Sequence, residues 1–305
     1  MHKRYLEQVE RMLQILPHVM TERVFALKGG TAINFFVRDV PRLSVDIDLV
    51  YAPVQDRVTS LNEISAALLR IRKKLLSHFS GCTITEKRIS GGHCIRLFVN
   101  FESAMVIVEP NTVLRGTMYP PESSPISPAL KNRTGIGIFM SVPVLATAEL
   151  YGGKFVAALD RQHPRDLFDV KMLLEQEGIT EDIRRAFVVY LACHDRPMHE
   201  VLSPALLDMR TVFANEFKGL TIVAVTCEEL EIARAALLKE INAGLSDSER
   251  RFLLSIKTGE PQWELLPVAG IENLPALQWK LTNIRRMDKA KHRRQVEKLK
   301  ESLHL

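Results

Sequence analysis

Apolar and polar positions along the chain change their rhythm near residue 140. Tyr5, Leu6, Val9, Met12, Leu13 and Leu16 recur at helical spacing and predict a first helix. A short apolar run over 24–27 ends at Lys28-Gly29-Gly30, and 31–37 reads as the start of another helix. Residues 45–51 (VDIDLVY) alternate with period two and are rich in Val and Ile, which predicts a strand. A helix follows over 58–78, with leucines, isoleucines and alanines in one stripe. Three strand-like runs come next, 82–89, 93–101 and 104–109, turning at Gly91-Gly92 and at 101–103. Residues 118–134 carry four prolines and predict a long loop. Beyond Val144 the period is helical almost throughout, over 144–159, 164–176, 180–193, 204–217, 228–243, 247–257 and 276–303. The expected class is therefore α+β: an α/β domain over 1–140, then an all-helical domain over 141–305.

Composition narrows the function classes. With 46% hydrophobic and 25% charged residues, the 305-residue chain is not a disordered polymer, and its length suits two domains. No apolar run approaches the length of a membrane span; 187–193 is about the longest. The first residues mix charges into an amphipathic pattern, so no signal peptide is expected. Cys82, Cys94, Cys193 and Cys227 lie far apart with no CxxC, which excludes a zinc ribbon and argues against a disulfide scaffold. Cys82 and Cys94 are expected to face each other or the core on neighbouring strands. A soluble, cytoplasmic protein is expected.

Charge changes the picture by position. The chain sums to +5, yet 279–300 holds nine basic residues against Asp288 and Glu297, so the remainder is close to −2. A basic segment of that density attracts polyanions, nucleic acid above all, although a solvated terminal helix would look the same.

Two constellations carry chemistry. Asp46 and Asp48 stand two apart on a strand, hence on one face, with Val45, Ile47 and Leu49 on the other. Two such carboxylates repel one another unless a cation bridges them, and a hard ion such as Mg²⁺ does so while holding substrate phosphates. Gly29-Gly30-Thr31, a short strand ending in two glycines before a helix, offers free backbone N–H groups to a phosphate. There is no GxxxxGK[ST] and no GxGxxG.

The pair of motifs, with fourteen residues between Thr31 and Asp46, resembles the first motif of the polymerase-beta-like nucleotidyltransferase superfamily. The longer form, LKGGTAINFF…RLSVDIDLVY, resembles the AbiEii/AbiGii toxin family, as do Lys154 followed by PRDLFDVKMLL and the late stretch LPALQWKLTNI. The resemblance implies a mixed-sheet catalytic domain and a helical domain completing a cleft. It implies a toxin of a toxin–antitoxin or phage-defence system that moves a nucleoside monophosphate from an NTP to an acceptor, some members extending tRNA 3′ ends. By the same likeness Asp46 and Asp48 hold metal, Gly29, Gly30 and Thr31 bind the triphosphate, and Lys154 neutralises it. Asp169 completes the site, while Arg165 and Asp166 brace a helix start. Glu109 is the candidate third carboxylate and metal ligand, Glu102 its rival. Nucleotidyl transfer then needs two Mg²⁺ ions, three carboxylates and positive charge for the triphosphate. A cognate antitoxin and a tRNA acceptor are the implied partners, with no membrane.

Two alternatives stay open from the residues alone: a non-catalytic nucleic-acid-binding or scaffold module on the same fold, and a phosphoryl or nucleotidyl transferase acting on a protein hydroxyl. Lys28 or Arg42 could assist with the triphosphate, although Arg42 and Ser44 read better as plain loop residues. His163, His194 and His199 read as surface or capping groups, and Trp263 and Trp279 as packing residues. Within the late basic stretch, 285–294 is the expected path for a polyanionic acceptor.

Overall fold

The structure, a computed structural model, describes residues 3–305. The chain divides into two units, one of Met1–Ala146 with Lys218–Ala224, the other of Thr147–Phe217 with Val225–Leu305.

In the first unit the elements run α1 (Lys3–Val19), β1 (Phe25–Leu27), α2 (Gly29–Ala32) continuing as a π turn (Ile33–Val37), and β2 (Ile47–Tyr51). They continue with α3 (Arg57–His78), β3 (Thr83–Arg88), β4 (Cys94–Asn100), β5 (Met105–Pro110), β6 (Glu122–Pro125), α4 (Ala129–Thr134) and β7 (Ser141–Val144). Seven strands form one sheet in the order β3-β4-β5-β2-β1-β7-β6. It is mixed: β2 pairs antiparallel with β1 and parallel with β5, and β1 pairs parallel with β7. Strand β2 thus has neighbours on both edges, which is why it reads as an almost continuous apolar run. The stripe Val9, Met12, Leu13 and Leu16 of α1 is fully buried, as are Ile64, Leu68 and Leu75 of α3. Asp56 caps α3, accepting from the backbone N–H groups of Val58 at 2.8 Å and Thr59 at 3.0 Å.

Two expectations fail here for one reason. The stretch 118–134, expected as a loop, contains β6 and α4, and the helix expected from 144 begins at Thr147 because Ser141–Val144 is a strand. Strand β6 is ESSP and mostly exposed. Its pairing with β7 supplies backbone hydrogen bonds and little burial, so no apolar alternation marks it.

The returning segment Lys218–Ala224 is fastened to the approach of β2. Leu43 N donates to Leu220 O at 2.8 Å, and Ile222 N donates to Pro41 O at 3.0 Å. The single helix expected over 204–217 is instead a short turn, Arg210–Val212, followed by a π turn over Phe213–Phe217.

The second unit is helical. It comprises α5 (Thr147–Asp160), α6 (Pro164–Gln176), α7 (Glu181–Cys193), α8 (Met198–Leu202), α9 (Arg210–Val212), α10 (Cys227–Gly244), α11 (Asp247–Thr258), α12 (Pro275–Arg285) and α13 (Lys289–Leu303). Helices α5 and α7 approach closely at Gly152, where an added Cβ would lie 2.6 Å from Phe187 N and 2.7 Å from Ala186 C. A glycine inside a helix costs roughly 1 kcal/mol against alanine, and here it permits the crossing. The helix expected over 276–303 is two helices: Asp288 accepts from Lys291 N at 2.9 Å and starts α13 afresh.

All four cysteines are free and buried. Cys82 and Cys94 do not face one another. Cys94 is paired with Arg88 at one end of the β3–β4 hairpin, and Cys82 precedes Thr83 at the other. No helix among the described residues is long and apolar enough to cross a membrane.

Candidate active site

Strand β1 ends at Leu27, and Lys28 N donates to Asp48 O at 2.9 Å, holding the turn against β2. Gly29 then takes φ +69°, and a Cβ built on it would stand 2.9 Å from Asp48 Cγ. Both facts require glycine: the left-handed backbone and the carboxylate pressed against it. A Cβ at Gly30 would lie 2.7 Å from Arg42 Nη2 and 2.9 Å from Ser44 Oγ. Thr31 is fully buried; its hydroxyl donates to Asp46 O at 2.5 Å and lies 3.0 Å from Ser44 Oγ. Arg42 is 3% exposed, and its Nη1 donates to Leu43 O at 2.9 Å. The reading of Arg42 and Ser44 as plain loop residues is therefore corrected: both pack directly under the turn.

Asp48 is the one residue of β2 that is not buried. Asp46 precedes the strand, which begins at Ile47 rather than Val45. In the parallel β2–β5 register Asp48 stands directly beside Glu109, on strands about 4.8 Å apart. Strand β5 alternates, with Val106 and Val108 buried and Ile107 and Glu109 half-buried, so Glu109 lies on the open face. Glu102, the rival, is exposed in the preceding turn. Arg96 of β4 forms an ion pair with Glu109 through its Nη2, the two side chains being 25% and 37% exposed. Sequence reasoning misses Arg96, although a signal exists. Counting back from the turn at 101–103 pairs Leu97 with Val108, which sets Arg96 against Glu109.

Among the described residues no three His, Cys, Asp or Glu side chains converge closely enough to hold a metal ion. Yet the donors at this edge, Asp46, Asp48 and Glu109, are hard oxygens suited to a divalent cation such as Mg²⁺. Glu109 would join such a set by exchanging Arg96 for the ion.

Lys154 and Asp169 belong to the second unit, where they form a cluster of their own. Lys154 Nζ lies 2.9 Å from Asp166 Oδ1 and 3.0 Å from Asp169 Oδ2. All three side chains are buried, at 7%, 2% and 1% exposure. Arg161 Nε adds a contact to Asp166 at 2.5 Å. Burial alone would push the Asp166 carboxyl upward, but the Lys154 and Arg161 charges outweigh it and hold it well below the usual carboxylate range. His163 caps α6, its ring Nδ1 accepting from Arg165 N at 3.1 Å, and Asp166 sits three residues into that helix. Of Arg165 and Asp166, the expected brace of the helix start, Asp166 stands in its first turn with its carboxylate on Lys154 and Arg161.

A strand carboxylate lies under a Gly-Gly turn, with a second acid in register beside it on a mixed sheet, and the family match gives the class, a nucleotidyltransferase. Residues 11–283 match the family described as "Nucleotidyl transferase AbiEii toxin, Type IV TA system". The chain belongs to that family of toxins. Its fold is similar to that of MenT4, a nucleotidyltransferase toxin from Mycobacterium tuberculosis H37Rv. The match has a TM-score of 0.58 at 17% identity and covers 92% of this chain and 94% of that one. No curated protein matches the sequence. Membership implies an NTP substrate, typically a divalent metal, and an antitoxin partner.

Proposed function

We propose that this toxin transfers a nucleoside monophosphate from an NTP to the 3′ end of tRNA with the aid of Mg²⁺, and so blocks translation and growth. The observation that supports this most is the Asp48–Glu109 register beneath the Gly29 turn. Asp46, Asp48 and Glu109 would hold the metal, which when bound supplies charge neutralisation at the reacting phosphate. The backbone at Gly29, Gly30 and Thr31 receives the triphosphate. The acceptor hydroxyl oxygen attacks the α-phosphorus, the α–β bridging P–O bond breaks, and pyrophosphate leaves. The hydroxyl proton passes to a carboxylate of the same edge. In the second unit Asp169 and Asp166 fix the ammonium group of Lys154. Cytoplasmic tRNA is the acceptor favoured by the positive charge gathered over 279–300.

The test is transfer from each of four α-³²P-labelled NTPs, with Mg²⁺, to total tRNA and to total protein, alongside Asp48→Ala. Label on tRNA should appear with the parent and fall by at least about 10³-fold in the variant. Label on protein instead would move the acceptor to a protein hydroxyl. An Asp48→Ala protein that still arrests growth would defeat the enzymatic account and favour a binding module.

A further inference from the structure

Helix α12 has one buried stripe, formed by Leu277, Leu281 and Ile284. Trp279, Asn283 and Arg286 each follow that stripe by two residues, a rotation of about 200°, so they lie on the opposite face. Tryptophan is on average among the most buried residues, but Trp279 is 48% exposed. This corrects its reading as a packing residue. Trp263 conforms to that reading, being half-buried with its ring 6.1 Å from that of Phe252.

The chain that follows Trp279, from the end of α12 into α13, is cationic. Arg285, Arg286, Lys289, Lys291, Arg293 and Arg294 are all exposed. Among the described residues none of them makes a salt bridge or a side-chain hydrogen bond. The positive charges also burden one another inward. The Lys257 ammonium on α11 is pushed down to about 8, first by burial and then by Lys280 and Lys291.

We propose that the outer face of α12 and the start of α13 form a binding site for unpaired RNA, with Trp279 as the platform on which a base stacks and Arg286 and Lys289 holding adjacent phosphates. The cations alone would draw any nucleic acid. The tryptophan makes the choice, since bases inside an A-form duplex are already stacked and cannot reach it, whereas an unpaired base presents its whole face. The exposed cations also favour a polyanion over a second copy of this basic chain. The selection of RNA rests on the tRNA-acceptor reading above, so the experiment is made without NTP and on the Asp48→Ala chain. A failure of transfer therefore leaves the binding readout intact, and a failure of binding leaves the transfer assay intact.

The full chain is titrated with a short single-stranded RNA and with a duplex of the same sequence, following tryptophan emission and the anisotropy of labelled RNA. Single strands should quench the emission, and Trp279→Phe, which leaves Trp263 as the sole tryptophan, should abolish the quench. Trp279→Ala should weaken single-strand affinity about tenfold and duplex affinity far less. Arg286→Glu should weaken binding and lower the salt slope by about 0.7 for each phosphate it no longer neutralises. Circular dichroism checks that the variants fold. Unchanged single-strand affinity in Trp279→Ala, or an equal loss on both RNAs, would overturn the proposal. So would self-association that Trp279→Ala dissolves while RNA leaves the emission untouched; that result would give the face to a second copy of the chain.

Discussion

The two units treat charge in opposite ways. In the first, the acidic edge is open: Asp48 is half-buried, and Glu109, 37% exposed, is paired with a cation that is itself 25% exposed. In the second, Lys154 Nζ lies within 3.0 Å of both Asp166 and Asp169, and none of the three side chains is more than 7% exposed. An open ion pair contributes little to stability and can be exchanged for a ligand. A buried one holds its helices in place, because removing either partner strands a charge away from water. The first arrangement can be exchanged at little cost, and the second resists rearrangement.

The sharpest break in this comparison comes from Lys154→Met. It removes the ammonium group that Asp166 and Asp169 share and should destabilise the protein by about 3–5 kcal/mol, read from denaturant unfolding. The pH dependence sharpens it further. Asp166 in the parent has a depressed pKa, so its contribution is present above roughly pH 4, the unfolded value, and is lost as pH falls further. In Lys154→Met the buried carboxyls lose their shared cation, Asp166 keeping only Arg161, so the deficit should shrink as pH is lowered from 7 towards 4, where Asp166 leaves the parent level. An equally level variant over that window would mean the cluster carries no such coupling.

A second effect, smaller, concerns the turn. Gly29→Ala places a Cβ 2.9 Å from Asp48 Cγ and asks an alanine to adopt φ +69°. The backbone term alone is about 1–2 kcal/mol, and the displaced carboxylate adds a loss of transfer activity that Gly178→Ala should not show. Gly178 also has positive φ, but an added Cβ there meets nothing within 4 Å. Comparing the two variants separates backbone strain from disturbance of Asp48.

What the chain reveals before folding follows the same division. Asp48 is conspicuous because it interrupts Ile47 and Leu49, both fully buried, in a strand with neighbours on each edge. Glu109 is visible only as an acid ending an apolar run. Its position beside Asp48 depends on a parallel pairing between segments some sixty residues apart, and alternation within a segment carries no record of its partner. Strands β6 and β7 are hidden for a related reason: ESSP and SVPV have little apolar pattern and are held by backbone pairing. Lys154 and Asp169 are legible through family likeness, but their mutual burial is a product of how α5 packs on α6. Trp279 misleads because an aromatic in a helical period usually belongs to the core stripe, and here it falls two residues out of phase.

The smallest expected effect tests the open edge itself. If Arg96 occupies the Glu109 carboxylate as a replaceable counter-ion, then Arg96→Gln should make that carboxylate easier to recruit by a divalent ion. A partly exposed pair of this kind is worth up to about 1 kcal/mol, so Mn²⁺ affinity by titration calorimetry should tighten by about two- to fivefold. Arg96→Lys should fall between, because an ammonium group keeps the charge without the planar fork. Glu109→Gln should weaken Mn²⁺ binding and cancel the effect of Arg96→Gln in the double variant. Should Arg96→Gln weaken Mn²⁺ binding instead, Arg96 is aligning Glu109 for the ion rather than competing with it, and the open edge is as preorganised as the buried cluster.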